Sequence, residues 1–150
     1  MTDAVFEYVA DSKPPSVWEQ SLGIAETSTF ELIGRVEAGL EPQTFERFSE
    51  LSGVRREDLA RFLGLSLRTV QRRKEADEPL DRASSEKLLR LAKLYARAAL
   101  VIGSDELAKQ WMQTPRALFG DKTPFAMAST ELGAREVEDL LLRTEHGVFS

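Results

Sequence analysis

Apolar residues along this chain recur at three- and four-residue intervals and never alternate with polar ones over a strand's length, which predicts helices almost throughout. Phe30, Ile33 and Val36 (or Glu37) mark one short amphipathic segment, closed by Gly39. Phe45, Phe48, Leu51 and Ser52 mark a second, opened by Pro42 and closed by Gly53, the usual order for proline and glycine at helix ends. Leu59, Phe62 and Leu63 form a third that stops at Gly64, and Ser66 is placed to cap a fourth over 67–76. The longest run, 83–102, carries Leu88, Leu91, Ala92, Tyr95, Ala98, Ala99 and Ile102 as one stripe, with Lys87, Arg90, Lys93 and Arg97 on other faces. Ser104 caps a short helix bearing Leu107 and Trp111, with Trp111 expected in the core. Thr114-Pro115 and Thr123-Pro124 each read as a cap followed by proline at the first helical position, and the last helix spans about 131–145 with Val137, Leu140 and Leu141 inward.

The pattern divides the chain into three. Residues 1–15 end in Lys13-Pro14-Pro15, hold no sustained period and are expected to form a mobile tail. Residues 16–97 make a helical region, and 98–150 a compact helical module. The fold class is all-α.

Charge sharpens this division. The formal net charge is -5, yet residues 1–54 carry three Lys/Arg against ten Asp/Glu, 55–97 carry twelve against seven, and 98–150 carry five against eight. A basic middle between acidic ends points to a polyanion facing the middle alone. Among 150 residues there is no cysteine, which removes disulfides, thiolate-bound zinc and thiol catalysis. No run reaches the roughly 18 apolar residues of a membrane span, and the first residues lack a basic lead-in, so the expected location is the cytoplasm. With one histidine, His146, and no Gly-rich phosphate loop or paired nucleophile and base, the reading is of a non-enzyme with no cofactor and no metal.

The segment from Arg55 to Arg73 has the spacing of a helix-turn-helix, within about 55–76. Leu59 and Leu63 face inward, Ala60 permits a close crossing, Gly64 makes the turn and Leu65 fills the corner. Ser66 starts the second helix, where Val70 is buried and Arg68, Thr69, Gln71, Arg72 and Arg73 face outward. Ser66 and these five are the candidate DNA-binding residues: Arg forks onto guanine, Gln onto adenine, and Thr meets a phosphate or a thymine methyl. A short helical hairpin with a solvated basic face is the plainer reading of the same residues. The cations along 82–97 either line phosphates or solvate a long helix.

The C-terminal module carries an ordered string of motifs. These are Ala108 to Pro115 around Trp111, Leu118-Phe119-Gly120-Asp121-Lys122-Thr123-Pro124, Gly133-Ala134-Arg135-Glu136-Val137, and Leu141 to Ser150. With the helix-turn-helix ahead of it, the stretch from about residue 30 to 150 resembles the Xre/ParS/MbcA-type antitoxins. It departs from their pattern at Asp121, where a second glycine is usual, at Ala126-Met127-Ala128, where two leucines are usual, and at Thr144, where isoleucine is usual.

The resemblance implies an Xre-like helix-turn-helix region followed by a toxin-binding domain, encoded beside a RES-type toxin that consumes NAD or ADP-ribosylates a target. It implies that the C-terminal segment covers the toxin's active site, with Arg143, His146, Gly147, Val148, Phe149 and Ser150 as the toxin-binding residues. The residues themselves agree: a helix broken at Gly147 presents an aromatic anchor and a terminal carboxylate that a cationic nucleotide pocket would accept. The expected partners are a cognate RES-type toxin and operator DNA, with the chain acting as a homodimer or in a larger assembly with toxin. A plain dimeric helix-turn-helix regulator, whose C-terminal module senses a ligand or only dimerises, is the other reading the residues allow.

Overall fold

The computed structural model describes residues 22–23 and 28–145, so the expected tail at 1–15 and the segment 146–150 lie outside the described residues. Within them the elements are α1 (Thr29–Ala38), α2 (Pro42–Ser52), α3 (Arg56–Leu63), α4 (Leu67–Ala76), α5 (Arg82–Ile102), α6 (Asp105–Met112), a single 3-10 turn (Ala117–Phe119), α7 (Pro124–Met127) and α8 (Glu131–Glu145). Among the described residues there is no strand, only one isolated bridge between Arg116 and Lys122. No described helix is long and apolar enough to cross a membrane.

Local chemistry sets the helix ends. Side-chain oxygens of Ser28, Ser66, Asp81, Ser104 and Thr123 each accept from a backbone N–H three residues on, satisfying donors that the helix itself cannot pair. Pro42 and Pro124 occupy first positions, where the missing N–H costs nothing. Thr130 does the same for α8, accepting from the Gly133 N–H at 3.0 Å.

α5 is the axis of the molecule. It packs against α1, α3, α6 and α8, while α4 rests on α2 and α3. Leu88, Leu91, Ala92, Tyr95 and Ala98 of its stripe have no exposed surface, and Ile102 at the end is half-buried. Phe48 of α2 meets Tyr95 edge-on, with ring centroids 5.2 Å apart at 84°. Phe62 of α3 lies 5.0 Å from Phe125 of α7, so helices on either side of the expected boundary at 97/98 share one apolar cluster.

Three expectations about faces need correction. On α1 the buried residues are Leu32 and Val36, whereas Phe30 is 84% and Ile33 52% exposed. On α6 the buried pair is Ala108 and Met112; Leu107 faces solvent and Trp111 is half-buried rather than core. In both helices two apolar stripes compete, and the position of α5 selects the one with the tighter fit. The third correction concerns Thr114-Pro115, which opens no helix. The Thr114 hydroxyl donates back to the Gln110 carbonyl and closes α6, and Pro115 leads into the 3-10 turn.

Two glycines are demanded by close approach. A Cβ at Gly39, whose φ is +93°, would sit 2.2 Å from the Leu80 carbonyl oxygen. A Cβ at Gly133 would sit 1.8 Å from the Met127 carbonyl oxygen, where α8 crosses the end of α7. Helix propensity alone favours Ala over Gly by about 1 kcal/mol. Gly133→Ala is nevertheless expected to destabilise, by about 1–3 kcal/mol from overpacking. Thermal unfolding of the variant checks the sign, and a raised melting temperature would contradict the close crossing.

Candidate functional site

The α3–α4 pair is built around one turn. Gly64 adopts φ +77°, the left-handed conformation that glycine takes without strain. The Leu65 N–H then donates to the Ala60 carbonyl at 2.8 Å, closing α3. Ser66 follows, and its hydroxyl accepts from the Thr69 N–H at 3.1 Å and pairs with the Thr69 hydroxyl at 2.9 Å. Val70 is the buried residue of α4, which anchors the helix while leaving its outer face free.

Polar contacts tie α3 and the loop before α2 to α5 and to the loop that precedes it. The Ser84 hydroxyl donates to the Leu63 carbonyl at 3.3 Å, at the end of α3. The Leu40 N–H donates to the Ser85 hydroxyl at 2.8 Å, and the Leu80 N–H donates to the Leu40 carbonyl at 2.8 Å. Arg56 forks onto Glu46 at 2.9 and 2.8 Å, tying α3 to α2 in the bidentate geometry that makes such pairs specific.

The six sequence-derived DNA candidates separate on this frame. Arg68, Gln71 and Arg72 are exposed on α4. Gln71 donates its amide to Glu75 at 3.1 Å, one turn on. Ser66 and Thr69 spend their hydroxyls on the cap and on each other. Arg73 was expected outward and is half-buried instead. Its Nη1 donates to the Pro79 carbonyl at 2.7 Å, which turns the guanidinium toward the loop behind the helix.

Arg73 also acts on Asp81, the cap of α5. Burial works to raise the Asp81 carboxyl, but hydrogen bonds from Ser84, together with the positive charge of Arg73, outweigh it, and the group is held below the usual carboxylate range. Asp81 ahead of the long apolar stripe was a legible N-cap signal that sequence reasoning passed over. Ser84 and Ser85, small residues within an apolar stripe, carried no such signal.

In the C-terminal module, α6, the 3-10 turn, α7 and α8 assemble against the second half of α5. The Arg116 guanidinium stacks 4.6 Å over the Trp111 ring, so the partly buried indole, which packs against the core, also carries a cation on its ring face. Burial lowers the Arg116 guanidinium from its ordinary value. Asp121 sits at φ +67°, the left-handed region that explains why glycine is usual there; Asp is among the few other residues that tolerate it. Arg143 is exposed in the last turn of α8. His146, Gly147, Val148, Phe149 and Ser150 lie outside the described residues. Among the described residues no cluster of His, Cys, Asp or Glu could hold a metal ion.

Two family models match this chain. The family model of the antitoxin Xre-like helix-turn-helix domain matches residues 31–93, and that of the antitoxin Xre/MbcA/ParS C-terminal toxin-binding domain matches 97–147. A protein named Antitoxin Xre from Pseudomonas putida is 32% identical over 123 residues, covering 80% of this chain and 74% of its own length. The chain belongs to the Xre antitoxin family. An Antitoxin Xre from Yersinia enterocolitica is 28% identical over 140 residues, 93% of this chain and 94% of that one. An Antitoxin Xre from Photorhabdus laumondii is 28% identical over 132 residues, 87% and 89% of the two chains. The Xre-like helix-turn-helix domain takes in α1 to α4 and the first half of α5, and the toxin-binding domain takes in α6 to α8. Both are antitoxin domains and neither is an enzyme family.

Two outcomes test this description of the Xre-family chain. Because the folded-state value of Asp81 is depressed, its stabilisation is present above the ordinary carboxylate range, near pH 3.9, and is lost as pH falls through the lower folded value. Asp81→Asn is therefore expected to melt below wild type at neutral pH, with the gap closing as pH falls through and below the ordinary carboxylate range; a gap unchanged by acidification would show that the charge contributes nothing. Asp121→Gly is expected to raise stability by about 0.5–1 kcal/mol through relief of the left-handed backbone, measured by denaturant unfolding.

Proposed function

We propose that this antitoxin neutralises a cognate RES-type toxin, an enzyme that consumes NAD or ADP-ribosylates a target, and that the segment after α8 covers the toxin's active site. The observation that carries the reading is that the toxin-binding domain runs to residue 147, past the end of α8 and into the segment that holds Gly147. The last turn of α8 delivers the exposed Arg143 toward the partner. Beyond it, Val148 and Phe149 supply apolar anchors of the kind that dominate binding when they fill a pocket. The buried faces of α6 and α8 are committed to α5, so the described part of the module is preorganised for docking.

The same chain represses its own operon, binding operator DNA through α4 as a homodimer or within the toxin complex. The exposed Arg68, Gln71 and Arg72 on a capped helix support this, as does the basic balance of residues 55–97.

Deleting residues 146–150 is expected to abolish growth rescue in cells expressing the adjacent toxin gene, with the melting temperature of the purified antitoxin unchanged. Full rescue by the truncated chain would remove the covering mechanism. For the repressor, the duplex upstream of the gene pair is expected to bind with affinity that falls steeply as salt rises. Absence of binding at low salt, with and without toxin, would remove autoregulation.

A further inference from the structure

The structure divides the outer face of α4 into groups already engaged and groups left for a ligand. Ser66 and Thr69 are occupied at the cap, Arg73 is turned to the Pro79 carbonyl, and the Gln71 amide is held by Glu75. Arg68 and Arg72 are exposed, and neither has a hydrogen-bond or ion-pair partner among the described residues. They stand four residues apart and therefore on one face of the helix. The last turn of the same helix mixes charges, with Lys74 exposed beside Glu75, and Asp77 and Glu78 just beyond it. In helix-turn-helix docking the first residues of the second helix reach the base edges, and the two arginines lie in its first two turns.

From this we infer that Arg68 and Arg72 are the specificity-determining residues of the operator complex, each forking onto the O6 and N7 of one guanine in the major groove. The inference rests on the DNA-binding reading above and narrows it to two base contacts. Four residues of helix advance about 6 Å along the axis, close to two steps of the duplex at about 3.4 Å each. The helix lies inclined in the major groove, so the two guanines stand one or two base-pair steps apart. Gln71 lies between the arginines along the helix, but its amide is restrained by Glu75, so it adds only a weak base preference. Arg73 is a positioning residue: it braces α4 against the 77–81 loop and contributes no base contact.

The test selects duplexes from a random 25-base-pair library with the full-length protein and repeats the selection with Arg68→Ala, Arg72→Ala, Arg68→Lys and Arg73→Ala. Wild type is expected to select two guanines that are adjacent or separated by one base pair. Each alanine variant should lose the preference at one guanine and keep it at the other, with the selected duplex bound about 10-fold or more weakly. Arg68→Lys keeps the charge and lacks the fork, so it should retain binding to unselected duplex while losing discrimination at its guanine. Replacing either guanine by 7-deazaguanine, which removes the N7 acceptor, should weaken wild type and leave the matching alanine variant unaffected. Arg73→Ala should keep both preferences even if its melting temperature falls.

Several results would overturn the inference while leaving DNA binding intact. One is a selected site without paired guanines; another is a uniform loss over all sequences in Arg68→Ala and Arg72→Ala, the signature of phosphate contacts. Insensitivity of wild type to 7-deazaguanine has the same consequence. Failure of wild type to bind any duplex at low salt would remove the DNA-binding reading as well.

Discussion

The buried stripe of α5 is the surface against which α1, α3, α6 and α8 all pack. Phe45 and Phe48 come to the common core from α2, Ala108 and Met112 from α6, and Val137 and Leu141 from α8, all of them fully buried. A 21-residue helix is about 30 Å long, enough to serve two functional ends at once. Its first half carries the helix-turn-helix and its second half carries the toxin-binding module. The Tyr95 phenol near the middle, buried against Phe48, has its ionisation pushed far up by desolvation, so it packs as a neutral ring with its hydroxyl reached by Gln113 at 3.5 Å. Since Phe62 and Phe125 also touch across the two halves, the domains are regions of one packed body.

Apolar burial does not orient a helix uniquely, and a few directional contacts complete the task. Ser84 and Ser85 lie on the stripe of α5, yet their hydroxyls reach the Leu63 carbonyl and the Leu40 N–H. A larger residue would hold the neighbouring backbone away, and alanine would leave buried backbone groups unpaired. Gly39 is the counterpart on the other chain segment, since the Leu80 carbonyl occupies the place of its missing side chain. These contacts fix the loop before α5, Arg73 fixes the end of α4 to that loop, and the outer face of α4 is thereby presented at a defined angle.

The division between engaged and free residues on α4 follows from the same economy. Polar side chains near a helix start are drawn to its unpaired N–H groups, which is why the Ser66 hydroxyl takes the Thr69 N–H and the Thr69 hydroxyl pairs with it. A long guanidinium within reach of an unpaired carbonyl takes it, as Arg73 does at Pro79. Arg68 and Arg72 have no such carbonyl near them and extend into solvent.

Much of this was legible in the residues alone, because caps, glycine stops and stripes are local. Ser66 with its helix at 67–76, Thr123-Pro124, the end of α2 at Gly53 and the inward set Val137, Leu140 and Leu141 all depend on neighbours within one or two turns. The chain's order of motifs likewise indicated its family without coordinates. What sequence could not decide was the choice between two apolar stripes of one helix, as with Leu32 over Phe30, or Ala108 over Leu107. Nor could it show which arginine is held by a carbonyl six residues further on, or that Trp111 is roofed by Arg116. Those outcomes depend on where a distant helix presents its surface, and only the closing of the chain on α5 sets that position.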